Sequence, residues 1–502
     1  MISEHANAFQ IQKTFPYEYV SAAKDFQIQN TCTYEDVPVA KFIRFLDQIG
    51  LNDILAGVSD NRQQKKTKYS NVSLLRSALS VFFFRQESKS SFNNTILSLQ
   101  KHRRKSMSKF LDVAVDSLPK RDCVDDYLSH ITTDEINFLL IKIFRQAKKN
   151  KLFYNHAEKL LPGNYFHLAV DGFWTAKYDI SHSIDKNGKN CCPYCLPRVQ
   201  NKGQPDERIY YLHAFVTFAL VFPCGFKLPI YVYPLKAVQS NASESYEKLK
   251  QECELQAAYK VLPELKHLLG RIPIMFLGDS LYAAEPMLKL LEQLNWAYTI
   301  VRKDNVFSTV GKKCDEFDVL EYYQKNFRDR KVAKVGERIV EQSAKWFNNT
   351  SIGKESYTNV LRFVEVIKSS DGSIVDEFYT ELLISVPITK RNWQVLAKCG
   401  RMRWQHEDMH NSLKNRGFAA KHDYARSDPN LCIIWKLLMF VAFLIFELFR
   451  LTTAAIDSKG PLSWMKFAIS LLHQLVELSW DIISRSPILQ KTKVQFRYVF
   501  ET

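Results

Sequence analysis

RIPIMFLGDSLYAAEPMLKLLEQLNWAYTIV (residues 271–301) decides the fold class. Arg271 to Leu277 is an apolar run that reads as a buried strand ending in Gly278-Asp279. Ala283 to Leu294 carries apolar residues at helical spacing, and Trp296 to Val301 is a strand again. Upstream, Tyr165 to Val170 is strand-like and runs into Asp171-Gly172. Tyr210 to Phe222 and Leu228 to Pro234 are further β-type runs, and Glu244 to Leu262 has helical periodicity. Strands, then a helix, then strand-helix-strand predict an α/β sheet.

Outside this block the pattern changes. Thr358 to Val366 and Phe378 to Val386 alternate and are rich in β-branched and aromatic residues, with Asp371-Gly372 as a turn between them. Residues 306–390 therefore read as a β-rich insertion. Asn392 to Gly417 is helical, broken or adjusted around Gly400, with Gly417 as a C-cap. Leu431 to Leu451 and Trp464 to Ser479 are apolar helices. Residues 1–155 read as a helical region: Leu74 to Phe84 follows a Lys-rich loop (Lys65, Lys66, Lys68), and Asp134 to Lys151 ends in a basic run. The domain reading is 1–155 helical, 156–305 the first part of the α/β core, 306–390 the insertion, 391–450 the second part of the core and 451–502 a C-terminal helical region.

The chain has 502 residues, 46% hydrophobic and 24% charged, enough for several real cores. Sixty-nine Lys+Arg against 53 Asp+Glu give a formal net charge of +16. Such a balance points to a polyanionic partner, most often nucleic acid, or to a merely basic surface. Lys101, His102, Arg103, Arg104, Lys105 and Lys109 cluster, as DNA-backbone contacts or as a solvated helix face. Residues 1–10 show no basic-then-apolar signal sequence. The longest uninterrupted apolar run, Leu437 to Phe446, is far below the roughly 20 residues a bilayer span needs and reads as a core helix. Ten cysteines without a secretory signal fit a reduced, intracellular setting and not a disulfide scaffold.

Three acids stand out. Asp171 and Asp279 each follow an apolar strand, where an α/β sheet exposes ligands at its rim. An Asp-Gly after a strand is by itself often only a turn. Glu407 lies in Arg403-Trp404-Gln405-His406-Glu407. On a helix, Arg403, Glu407, His410 and Lys414 fall within a sector of about 60°, one acid in a row of cations. Three carboxylates meeting there would hold Mg2+ or Mn2+, two ions about 3.5–4 Å apart activating and stabilising the oxygens of a phosphodiester.

These segments resemble the DDE transposases of bacterial insertion sequences, in particular the group with a Tyr-Arg-Glu-Lys signature. Arg403, Glu407 and Lys414 match at the signature's spacing; the tyrosine position falls on Gly400. The resemblance covers roughly residues 70–450. It implies an RNase H-like core interrupted by the β-rich insertion, with a helical N-terminal region that binds terminal inverted repeats. It implies metal-dependent nicking and strand transfer on double-stranded DNA, by a homodimer in the bacterial cytoplasm. Asp171, Asp279 and Glu407 would be the metal ligands, and Arg403 and Lys414 would hold DNA phosphates. His410 would touch DNA, shade the metal site or simply pack. Trp346 is a candidate for stacking on a flipped base, or a core residue of the insertion. The alternatives are a catalytically silent DNA-binding relative and a metal-dependent nuclease without strand transfer.

Cys192 and Cys195 form a Cys-x-x-Cys knuckle, with His213 and Cys253 downstream. Some transposases of this kind carry a similar set. Four such ligands would suit a closed structural Zn2+ site, with Cys191 and His182 as alternative fourth ligands; the other reading is reduced thiols in a loop.

Overall fold

The computed structural model describes residues 37–62, 67–115, 117–150, 153, 164–178, 192–237, 253–353, 356–425 and 428–498. Lys65, Lys66, Lys151, His182, Cys191 and the first part of the Glu244–Leu262 helix lie outside the described residues.

The centre is a mixed α/β sheet. Its strands are β1 (Phe166–Tyr178), β2 (Leu196–Gln200), β3 (Arg208–Val221), β4 (Lys227–Pro234), β5 (Ile274–Gly278), β6 (Ala297–Arg302), β7 (Arg328–Val335), β8 (Arg338–Ile352), β9 (Ser356–Lys368) and β10 (Ile374–Ile384). They lie in the order β2-β3-β1-β5-β6-β10-β9-β8-β7, with β4 also on β3. β3 is the antiparallel neighbour of both β1 and β4, whereas β5 and β6 run parallel to β1. Helix Glu254–Leu269 makes the crossover into β5 and helix Glu285–Gln293 the crossover into β6. Parallel neighbours require such crossovers, and these helices supply them.

The β-rich insertion extends this sheet instead of forming a separate body. β10 pairs with β6, and β9, β8 and β7 follow as antiparallel neighbours. Charge fixes the junction. Glu381 on β10 stands opposite Arg302 on β6 and Arg362 on β9, and salt-bridges both, at 2.9 Å for Arg362. A buried carboxylate held between two guanidiniums tolerates no slip in register, since a slip would leave charges unpaired.

Helix Pro429–Arg450 is apolar on every side and is buried along its length. It is long and apolar enough to cross a membrane, but here β4 and helices Asn71–Phe83 and Thr133–Lys149 pack around it. An all-round apolar surface belongs in a core of this kind. Its one interior cation, Lys436, donates from Nζ to the carbonyl oxygens of Ala420 and His422, each at 2.5 Å. The N-terminal helix Pro38–Gln48 packs on the C-terminal helices Thr453–Lys459 and Trp464–Glu477. One cluster of buried apolar side chains runs from Val37 to Phe496, so the first and last described segments share a core with the sheet.

Candidate active site

The sheet register brings Asp171 and Asp279 together. The last pair of the parallel β1–β5 ladder is Ala169↔Leu277, and each aspartate lies two residues beyond it. Adjacent strands run about 4.8 Å apart, so the two acids leave the ladder side by side. Their settings differ. β5 ends at Gly278, and Asp279 caps the turn that follows, its Oδ1 accepting from the Leu281 N–H at 2.9 Å. Asp171 is not at a strand end, as the sequence pattern had it. β1 continues to Tyr178 on its pairing with β3, and Asp171 Oδ1 accepts from the Gly172 N–H at 2.9 Å.

Glu407 comes from helix Trp404–Asn415, which packs against β1, β3 and β4. The helical stretch breaks at Arg403, between Trp393–Met402 and Trp404–Asn415, and not at Gly400. Gly400 has another role: a Cβ there would come within 2.8 Å of Leu382 Cδ1 on β10. A larger side chain at this position would require Leu382 to shift.

Asp171 is where the charges of the group converge. Burial is the main reason its carboxyl is pushed up to about 6. The Gly172 N–H and Arg403 pull it down, while Asp279 and Glu407 push it further up. Arg403 Nη2 pairs with Glu407 Oε1 at 2.9 Å, so the arginine answers two of the three carboxylates. Lys414 stands over the Phe173 ring, its Nζ 5.1 Å from the centroid. Burial lowers its pKa, and Asp171 is near enough to oppose that. The other four residues of the three motifs are therefore all near enough to act on Asp171 or to be acted on by it.

His410 is on the expected face but does not reach outward. It is buried, with its ring 5.0 Å from that of Phe173 and its Nε2 2.8 Å from Thr217 Oγ1. His406 Nε2 lies 2.7 Å from the same oxygen. Burial holds both imidazoles in the neutral form, His410 down to about 3 and His406 well below the usual range. The expected DNA contact from His410 is thereby corrected to a place in the interior, packed against Phe173 and Thr217. Trp346 is corrected in the same direction. It is buried on β8 among Phe327, Leu361 and Trp393, with no face open to a base.

A second cluster lies on the same sheet. Cys192, Cys195 and His213 place their ligand atoms within 4.8 Å of one another, all three buried. His213 Nε2 is 3.4 Å from Cys192 Sγ and 3.3 Å from Cys195 Sγ. Cys253 is not part of it. It is exposed, and its sulfur accepts from the Gln256 N–H, capping helix Glu254–Leu269. Among the described residues no fourth Cys, His, Asp or Glu joins the group.

Three residues at the acidic site were passed over in the sequence: Thr217, Tyr282 and, as a carboxylate, Glu254. Thr217 sits within an apolar run, and only the β1–β3 register places it opposite Asp171. Compared with known proteins, the chain matches no protein-family model and no curated protein.

Proposed function

We propose that this chain is a DNA transposase that binds the ends of a mobile element, cuts them and joins them to target DNA. The observation that carries the reading is the convergence of Asp171, Asp279 and Glu407, with Arg403 and Lys414 around them. The order β4-β3-β1-β5-β6, three strands antiparallel and two parallel to β1, supports reading the core as RNase H-like, with β7–β10 as the insertion. The net charge of +16 supports a polyanionic substrate.

The donor set is all carboxylate oxygen, which fits a hard divalent cation such as Mg2+ or Mn2+. Bound between Asp171, Asp279 and Glu407, such ions would activate an attacking oxygen and offset the charge of the leaving one. The chain's own residues do the rest. Arg403 balances negative charge at Glu407 and Asp171. Lys414, half-buried beside Asp171, holds a phosphate of the DNA strand near the cleavage point. His406, His410 and Thr217 fix the helix that carries Glu407. Cys192, Cys195 and His213 hold a structural Zn2+ away from the chemistry. The enzyme works as a homodimer on paired DNA ends in the cytoplasm, at the nucleoid.

The test uses DNA flanking the reading frame as substrate, in Mg2+. Wild-type chain cuts and joins it, whereas Glu407→Gln binds it and leaves it uncut. Unchanged cleavage by Glu407→Gln refutes the active site. Wild-type chain that cuts without joining is a nuclease, and one that binds without cutting is a silent relative.

A further inference from the structure

A fourth carboxylate lies beside Asp171, with Asp279 also near enough to act on it. Glu254 opens helix Glu254–Leu269, which crosses over into β5, the strand that leads to Asp279. An acid in a first helical turn is usually there for the helix dipole, which an outward-pointing side chain serves equally well. Glu254 points inward. Its carboxylate lies over the backbone of Gly172, the residue after Asp171. A Cβ on Gly172 would sit 2.1 Å from Glu254 Oε1 and 2.9 Å from Oε2. Gly172 has no positive φ to justify a glycine, and a side chain there would have to displace this carboxylate from its place beside Asp171. The Trp174 side chain lies close to Glu254, and Arg198 stands over the Trp174 ring at 5.2 Å.

The second observation is Tyr282, in the turn after Asp279. Its side chain is buried, and its hydroxyl has no hydrogen-bond partner among the described residues. The carboxylates acting on that hydroxyl are Glu254, Asp279 and Asp171, in that order. A buried phenol without a partner is uncommon, because phenols bury well only when hydrogen-bonded. Here it faces a group of acids that themselves repel one another. Like charges so arranged are costly unless cations lie among them.

From this geometry we infer that Glu254 is a fourth carboxylate ligand of the metal site, with the Tyr282 hydroxyl hydrogen-bonded to a water or carboxylate oxygen of the occupied site. The inference rests on reading Asp171, Asp279 and Glu407 as a metal site. Four carboxylates match the charge of two divalent cations, and three do not.

The experiment is Mn2+ binding to the full chain without DNA, by calorimetric titration with electron paramagnetic resonance as the second readout. Wild-type chain binds about two ions. Asp171→Asn and Glu407→Gln lose most of this binding. Glu254→Gln keeps the size but removes the charge, and binds Mn2+ about tenfold or more weakly. Gly172→Ala displaces the carboxylate and weakens binding similarly, with no added effect in the Glu254→Gln background. Wild-type affinity and stoichiometry in Glu254→Gln, with binding lost in Asp171→Asn and Glu407→Gln, overturns the role of Glu254 and leaves the three-acid site standing. No Mn2+ binding by wild-type chain overturns both.

Discussion

Thr217 stands directly opposite Asp171 in the β1–β3 ladder, and its hydroxyl donates to the Asp171 carbonyl oxygen at 3.2 Å. With its one proton so committed, the hydroxyl oxygen accepts from both His406 Nε2 and His410 Nε2. One side chain thus ties the strand of the first acid to the helix of the third. Both histidines stand one turn or less from Glu407, so this buried network sets how Glu407 faces Asp171.

Thr217→Val keeps the shape and removes the acceptor. Two buried imidazole N–H groups then lack a partner, at a cost of roughly 1–3 kcal/mol each. The variant is expected to unfold at lower urea concentration and to lose metal-dependent cleavage beyond what reduced stability explains. Thr217→Ser is expected to recover most of both. Wild-type stability in Thr217→Val would remove the network from the account.

The raised carboxyl of Asp171 makes a pH prediction with a definite sign. The folded chain holds this proton more tightly than the unfolded one, between an ordinary 3.8 and about 6. Folded stability without metal therefore falls as pH rises through that window, and the penalty stays in place above it. His406 and His410 act oppositely: buried neutral, they cost stability as pH falls below 6.5. The difference between wild type and Asp171→Asn cancels the histidines. Asp171→Asn is expected to gain on wild type as pH rises from 4 to 6, by roughly 3 kcal/mol at most. Added Mg2+ is expected to close that gap at pH 7 by stabilising wild type alone. A pH-independent difference would show that Asp171 ionises normally.

The strands around Asp171 and Asp279 and the row Arg403, Glu407, His410, Lys414 were legible because each is a local pattern. Alternation and helical spacing are visible within ten residues. The joining of β10 to β6 was not legible, because the pairing of Glu381 with Arg302 spans the whole insertion. His410 was placed on the right face, but its depth depends on Phe173 and Thr217, which lie on strands far away in sequence. Trp346 illustrates the same limit: alternation says which face a residue takes, not whether that face is covered. Glu254 has no local signal beyond its place in the helical run Glu244 to Leu262. The signal that singles it out is the missing side chain at Gly172, which has meaning only once the crossover helix is in place.

The cysteine cluster makes the remaining prediction. Tetrahedral zinc, with bonds of about 2.3 Å to sulfur and 2.0–2.1 Å to nitrogen, holds sulfur and nitrogen ligands roughly 3.5 Å apart. The distances of 3.4 and 3.3 Å from His213 Nε2 to Cys192 and Cys195 are close to this. The other ring nitrogen, Nδ1, faces Cys432 Sγ at 3.8 Å, so Cys432 lies on the wrong side of the imidazole to share the ion and acts instead on the ring's orientation. Without metal, the Cys192 thiol is pushed up, first by its hydrogen bond to Cys195 and then by burial. Zinc must displace those protons, so its retention is expected to weaken as pH falls. His213 is four residues before Thr217 on β3, about 13 Å along the strand, so the ion would brace the hairpin end of the strand that supports Asp171. Purified chain is expected to carry about one zinc per chain. Cys192→Ser with Cys195→Ser is expected to lose that zinc and to melt several degrees lower, while Mn2+ binding at the Asp171 site persists. Metal analysis and thermal unfolding on the same samples decide it, and a zinc-free wild-type chain of unchanged melting temperature and full cleavage would reduce the cluster to buried thiols.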